Sequence, residues 1–237
     1  MNRTFSRREA LGLFGAASAA LAAACGSSPT TPSTTTSSSS TGGTTTSSSC
    51  AVSPEETAGP YPDRTGMIGN SGFYRQDITE GKSGLPLTLA LTIVNVRSTC
   101  APVANATVEI WQCDATGNYS EYGNSVGQTF LRGLQTTDSS GMVTFKTIYP
   151  GWYMGRATHI HVEVFVNGAT VKTTQIAFPE TVSASVYRTG VYAAHGQNST
   201  TNSGDNVFSD GTDHELATLG GDTTSGYTAT LVVGISV

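Results

Sequence analysis

The chain has 237 residues and a formal net charge of −5, with 37% hydrophobic and 12% charged residues. That length allows one domain with a sizeable core. Mild acidity without a basic patch argues against nucleic acid as a partner.

Residues 1–25 read as a twin-arginine export signal. Ser6-Arg7-Arg8-Glu9 carries the paired arginines, and an apolar run from Leu11 to Ala24 follows, broken only by Gly and Ser. The run is too short for a comfortable membrane span and ends in small residues. Ala22-Ala23-Ala24-Cys25 offers two outcomes. It resembles a lipobox, which would lipidate Cys25 and attach the chain to a membrane. It also contains the small-residue pattern of plain signal cleavage. Residues 26–49 are nearly all Ser, Thr, Gly and Pro, cannot bury a core, and read as a disordered linker. A tether has an obvious use between a lipid anchor and a domain, which favours the lipoprotein outcome. Either way the expected location is extracytoplasmic, as a cell-surface lipoprotein or a secreted protein.

Residues 50–237 read as one all-β domain with a β-sandwich core and long irregular loops. Strands are expected at Leu87–Val96, Ala106–Cys113, Met142–Ile148, His159–Val166, Ala169–Phe178 and Tyr227–Val237. Turns are expected at Cys100–Asn105, at Ser139–Gly141 and at the hairpin signal Asn167-Gly168. Helical periodicity is nearly absent. Tyr192–Gly226, rich in Gly, Ser, Thr, Asn and Asp, reads as irregular surface. Short strands at regular spacing with Gly/Asn turns argue for a sandwich. Three cysteines follow Cys25, and export makes a disulfide expected. Cys50 and Cys100 lie at segment edges and are the favoured pair. Cys113, sharing a strand face with Trp111, suits a small buried thiol.

The chemistry centres on His159-Ile160-His161. Two strand residues two apart point to one face, and this pair takes two of the four histidines in the chain. Tyr153 and Tyr119 lie near in sequence. Two imidazoles and two phenolates suit a trivalent, oxygen-seeking metal such as Fe(III). They suit Zn poorly, since Zn favours thiolate or a further His or carboxylate.

Several phrases in order resemble the intradiol ring-cleavage dioxygenases. They are Ser53-Pro-Glu-Glu-Thr-Ala-Gly-Pro-Tyr61, Ala106-Thr-Val-Glu-Ile-Trp-Gln-Cys-Asp-Ala-Thr-Gly-Asn-Tyr119, and Phe130-Leu-Arg-Gly133 with Thr137-Asp138 and Gly141. Thr147-Ile148, Pro150-Gly-Trp-Tyr153, Arg156, His159-Ile-His161 and Thr174-Gln175 before Phe178 continue the match. The resemblance implies a β-sandwich holding non-haem Fe(III) through Tyr119, Tyr153, His159 and His161, with Tyr119 and His159 equatorial and Tyr153 and His161 axial. It implies a catechol-type substrate cleaved with O2 between its two hydroxylated carbons, giving muconate-type products. Tyr153 would also act as a base, Arg156 would stabilise carbanion character on the ring, and Gln175 would face the substrate or an intermediate.

Two departures limit what the resemblance implies. The spacing from Tyr153 to His159 is shorter than in many members, which predicts a more open mouth. A helical dimerisation segment is not seen, so the oligomeric state and the substrate of the cytoplasmic branch are not carried over. The competing expectation is a tethered binding module for carbohydrate or aromatic polymers, with Trp111 and Trp152 as stacking platforms.

Overall fold

The computed structural model describes residues 50–237. The export signal, the Cys25 lipidation site and the linker expected over residues 1–49 lie outside the described residues. In chain order the elements are β1 (Pro86–Asn95), β2 (Ala101–Pro102), β3 (Thr107–Trp111), β4 (Arg132–Thr136), β5 (Met142–Ile148), β6 (His159–Val166), β7 (Ala169–Ala177), the short helix α1 (Glu180–Val186), β8 (Thr218–Asp222) and β9 (Gly226–Ile235). One sheet runs β2-β1-β9-β8, with β5 also paired to β1; the other runs β4-β3-β6-β7. The two sheets pack as a β-sandwich.

Strand alternation builds the core. In β1, Leu87, Leu89, Leu91 and Ile93 are all buried, while Thr88, Ala90 and Thr92 face outwards. The opposing sheet contributes Val108, Ile110, Ile160, Val162 and Val164 to the same cluster. Full burial of each such side chain contributes roughly 1.5–3 kcal/mol. Asn167 and Gly168 both take positive φ, as a two-residue hairpin with a primed turn requires. Cys50 and Cys100 form the expected disulfide, with Cα atoms 5.7 Å apart, and Cys113 is free and buried.

Four elements differ from expectation. β4 escaped because Arg-Gly-Leu-Gln-Thr does not alternate, and its arginine is buried by polar partners rather than by apolarity. α1 is too short and too rich in β-branched and Ser residues to show helical periodicity. Tyr192–Gly226 is not simply surface. It holds β8, and it buries Asp205, Phe208, Glu215 and Ala217. Its polar composition hides this because Asp205 and Glu215 are buried by hydrogen bonding to the neighbouring elements. The stretch expected as a turn at Cys100–Asn105 also contains the two-residue strand β2. No helix among the described residues is long and apolar enough to cross a membrane.

Candidate metal centre

The outer face of the β4-β3-β6-β7 sheet carries one register row across all four strands: Arg132, Trp111, His161 and Gln175. Each is fully buried. Trp111 lies flat against His161, with ring centroids 4.7 Å apart. His159, two residues away, shares the face, and its Nε2 lies 3.2 Å from His161 Nε2. His159 Nδ1 donates to the Ala157 carbonyl at 2.7 Å. A carbonyl can only accept, so Nδ1 carries the proton and Nε2 presents a bare lone pair to the centre.

The tyrosines arrive on two loops packed backbone to backbone. The Asp114 carboxylate accepts from the Thr116 and Asn118 amides and shapes the loop that ends at Tyr119. A Cβ on Gly151 would lie 2.2 Å from the Asp114 carbonyl, and one on Gly117 would lie 2.4 Å from the Trp152 carbonyl. Only glycine allows this approach, which brings Tyr119 and Tyr153 together with ring centroids 5.8 Å apart. Tyr119 Oη lies 3.3 Å from His159 Nε2. The Tyr153 ring centroid lies 5.6 Å from that of His159. The structure thus brings together all four side chains expected from the sequence.

Burial sets their charge. It pushes His159 down to about 3, with Arg156 adding to the effect. It also holds His161 well below the usual histidine range, with His159 adding to the effect. Burial pushes Tyr119 well above the usual phenol range and raises Tyr153, where Arg156 opposes the rise. Tyr119 Oη and the two histidine Nε2 atoms thus lie together as neutral donors with Tyr153 beside them, and a cation there would favour loss of the phenol protons. Among the described residues no group of three or more His, Cys, Asp or Glu is arranged to hold a metal. A metal at this point would need the phenols, and a set of two imidazoles and two phenolates fits Fe(III).

Arg156 spans the rim. Its Nη1 donates to Tyr153 Oη at 3.3 Å and lies 3.4 Å from His159 Nε2. Its Nη2 donates to Gln175 Oε1, and its Nε is paired with Asp205 at 2.9 Å. Gln175 has no free end, because its Nε2 donates to the Thr57 carbonyl at 2.8 Å. It meets the centre through Arg156. Trp111 is sealed against His161 and presents no face to a ligand, and half-buried Trp152 donates Nε1–H to the Gly196 carbonyl. The stacking-platform expectation therefore loses Trp111, one of its two residues.

Two residues were not expected at the centre. Tyr61 stacks on Tyr119 at 4.6 Å and meets Tyr153 edge-on at 5.5 Å; its only signal was its place at the end of the Ser53–Tyr61 phrase. Asp205 had no local signal at all.

A sequence pattern described as Dioxygenase matches residues 59–185, more than half of the chain. The chain belongs to the intradiol ring-cleavage dioxygenase family. The matched span holds Tyr119, Tyr153, Arg156, His159, His161 and Gln175, and ends before Asp205. The family typically uses non-haem Fe(III), and its substrates are catechols and O2. Among solved structures, an intradiol ring-cleavage dioxygenase from Tetranychus urticae is 29% identical with a TM-score of 0.72, covering 79% of this chain and 95% of that one. The dioxygenase domain of a dioxygenase carbohydrate-binding protein fusion from Streptomyces sp. SirexAA-E is 27% identical with a TM-score of 0.58, covering 79% and 99%. Catechol 1,2-dioxygenase 2 from Acinetobacter lwoffii is 32% identical over 93 aligned residues, 32% of this chain and 34% of that protein. This dioxygenase-family chain thus spans about a third of the length of that curated relative.

Proposed function

We propose that this family member is an active, exported dioxygenase that cleaves catechol-type rings between their two hydroxylated carbons with O2, giving muconate-type products. Tyr119, Tyr153, His159 and His161 would hold non-haem Fe(III). When bound, the ferric ion supplies the charge that ionises phenols and catechol hydroxyls near neutral pH and readies the ring for O2. The observation that carries this reading is the convergence of Tyr119 Oη, His159 Nε2 and His161 Nε2 within 3.3 Å of their neighbours, beside Tyr153.

The chain's own residues divide the remaining work. The Ala157 carbonyl holds His159 in the tautomer that leaves Nε2 free. Trp111 on one side and Gly59 on the other keep water from His161; a Cβ at Gly59 would come within 2.9 Å of its Cε1. Tyr153 differs from Tyr119 in touching a cation, Arg156 Nη1. It is therefore the phenol that ionises more readily once a cation is bound beside it, and as a phenolate it would take one proton from the catechol. Arg156 then offers a fixed positive charge to the carbanion character that develops on the ring. Fixed donors that need no reorganisation stabilise such charge better than water does.

Export by the Arg7-Arg8 signal and lipid attachment at Cys25 complete the reading. The Cys50–Cys100 disulfide supports an oxidising compartment. Replacing Cys25 by Ala is expected to release the protein from the membrane fraction; unchanged fractionation would favour plain cleavage. The central test is the visible spectrum of the iron-loaded protein with and without catechol, alongside oxygen uptake. A red-brown band that shifts on adding catechol is expected from phenolate-to-Fe(III) charge transfer. A colourless protein after iron loading would sink the assignment.

A further inference from the structure

Arg156 faces the centre because it is held from behind. Its Nε donates to both oxygens of Asp205, at 3.0 and 2.9 Å. With Nε–H engaged, Nη2 points to Gln175 Oε1, and Nη1 points to Tyr153 Oη and His159 Nε2. A guanidinium is rigid and planar, so fixing the direction of its Nε–H limits where the other two nitrogens can point. The Asp205 side chain is itself fully buried. It also accepts the Ala157 amide at 2.7 Å and the Val207 amide at 2.9 Å. A carboxylate that meets only donors has its position fixed by all of them.

We propose that Asp205 is a positioning residue of the dioxygenase site. It holds the Arg156 guanidinium towards Tyr153 and His159 and so controls turnover without meeting metal or substrate. This rests on the ring-cleavage reading above. Asp205 lies in the irregular stretch between α1 and β8, beyond the matched span, so this segment supplies the brace for a residue of the shared pattern. Only an acceptor on both oxygens serves all these donors. The amide of Asn would turn an NH2 group towards at least one of them.

The test uses Asp205→Asn and Arg156→Ala, singly and together, in the full chain. Iron content, catechol affinity from the spectral titration and kcat from oxygen uptake are read on the same samples. Asp205→Asn is expected to keep its iron and lose about 10-fold to 100-fold in kcat, as loss of an outer-shell partner typically does. In the Arg156→Ala background it should change kcat by less than about two-fold, because the residue it acts through is already gone. Unchanged kcat in the single variant, an equal loss in both backgrounds, or iron lost in step with turnover would each overturn the proposal. If Asp205→Asn does not fold, Asp205→Glu keeps the charge, displaces the brace, and is read the same way.

A second measurement does not depend on turnover. In the 15N spectrum of the iron-free chain, the Arg156 Nε–H signal, identified by its loss in Arg156→Lys, should exchange slowly with solvent and become much faster in the Asp205 variant. Equal exchange in both proteins would overturn the brace even in an active enzyme. Wild-type protein without iron-dependent oxygen uptake would overturn the ring-cleavage reading instead, and the exchange measurement would still decide the brace.

Discussion

The two sheets use their outer faces differently. In the five-stranded sheet, β1 alternates fully buried with half-buried residues, and β9 presents Thr228, Thr230 and Val232 outwards. One face packs on the core and the other meets water, although β1 and β9 at its centre run parallel. In the four-stranded sheet both faces are buried at the end that holds Arg132, Trp111, His161 and Gln175. Ile160 and Val162 enter the core while His159 and His161 turn to the other side, and all four are sealed. That second buried face is polar: it holds Arg132, Glu109, Gln175 and both histidines. Burying polar groups costs stability unless each is paired, so a sheet with such a face contributes chemistry where its partner contributes mainly packing.

The largest effect should come from breaking the polar face at its centre. His161→Ala is expected to abolish the coloured species and weaken iron binding by at least about 100-fold, more than loss of an outer-shell partner would. Iron per chain and the visible band measure it, with thermal melting of the iron-free protein as the control for folding. Normal iron content would mean that the histidine is structural. Next comes Arg156→Ala, which removes no proposed ligand. It should keep colour and iron yet lose about 100-fold in turnover. Arg156→Lys should not fully restore it, because an ammonium cannot serve Asp205, Gln175 and Tyr153 at once. Normal turnover with normal iron in Arg156→Ala would leave this arginine a structural ion pair.

Much of this contrast was legible in the sequence. Strand alternation revealed β1, β5, β6 and β9 because each puts apolar residues on one face at period two. His159-Ile-His161 revealed the polar face, since two polar residues alternating with apolar ones on a buried strand need a reason. The family phrases then joined Tyr119, Tyr153, Arg156 and Gln175 to them. Asp205 and β8 stayed hidden for a physical reason. Asp205 is buried by an ion pair with a residue 49 positions earlier, and β8 is a Gly-containing strand held by pairing with β9. Neither depends on the local pattern that a sequence displays. The Tyr153–His159 connection carries Met154, which is 91% exposed.

The polar face also predicts a pH effect. Glu109 on β3 sits directly opposite Glu163 on β6. Burial, then the facing Glu163, push the Glu109 carboxyl up to about 8. The folded chain therefore keeps a proton that the unfolded chain releases near pH 4.5, so stability should fall as pH rises through the window between those values. Glu109→Gln removes the titration. It should raise stability at pH 8 by on the order of 2 kcal/mol while changing it little at pH 5. Urea unfolding at the two pH values measures this, and an equal change at both would show that charge at this position is not the cause.

The smallest effect belongs to the wet face and closes the comparison. Val232 lies on the outer side of β9 and is 44% exposed. Thr is β-branched like Val, keeps the strand preference, and exposes its hydroxyl to water, so Val232→Thr should shift stability by less than about 0.5 kcal/mol. The same unfolding curves measure it. The inner side of this strand gives no such freedom: Ala229 and Val233 are fully buried, and a hydroxyl there would have no water to meet. A loss above about 1.5 kcal/mol at Val232 would mean that something covers this face in solution. The five-stranded sheet would then have two buried faces as well, and the division between a packing sheet and a chemical sheet would fail.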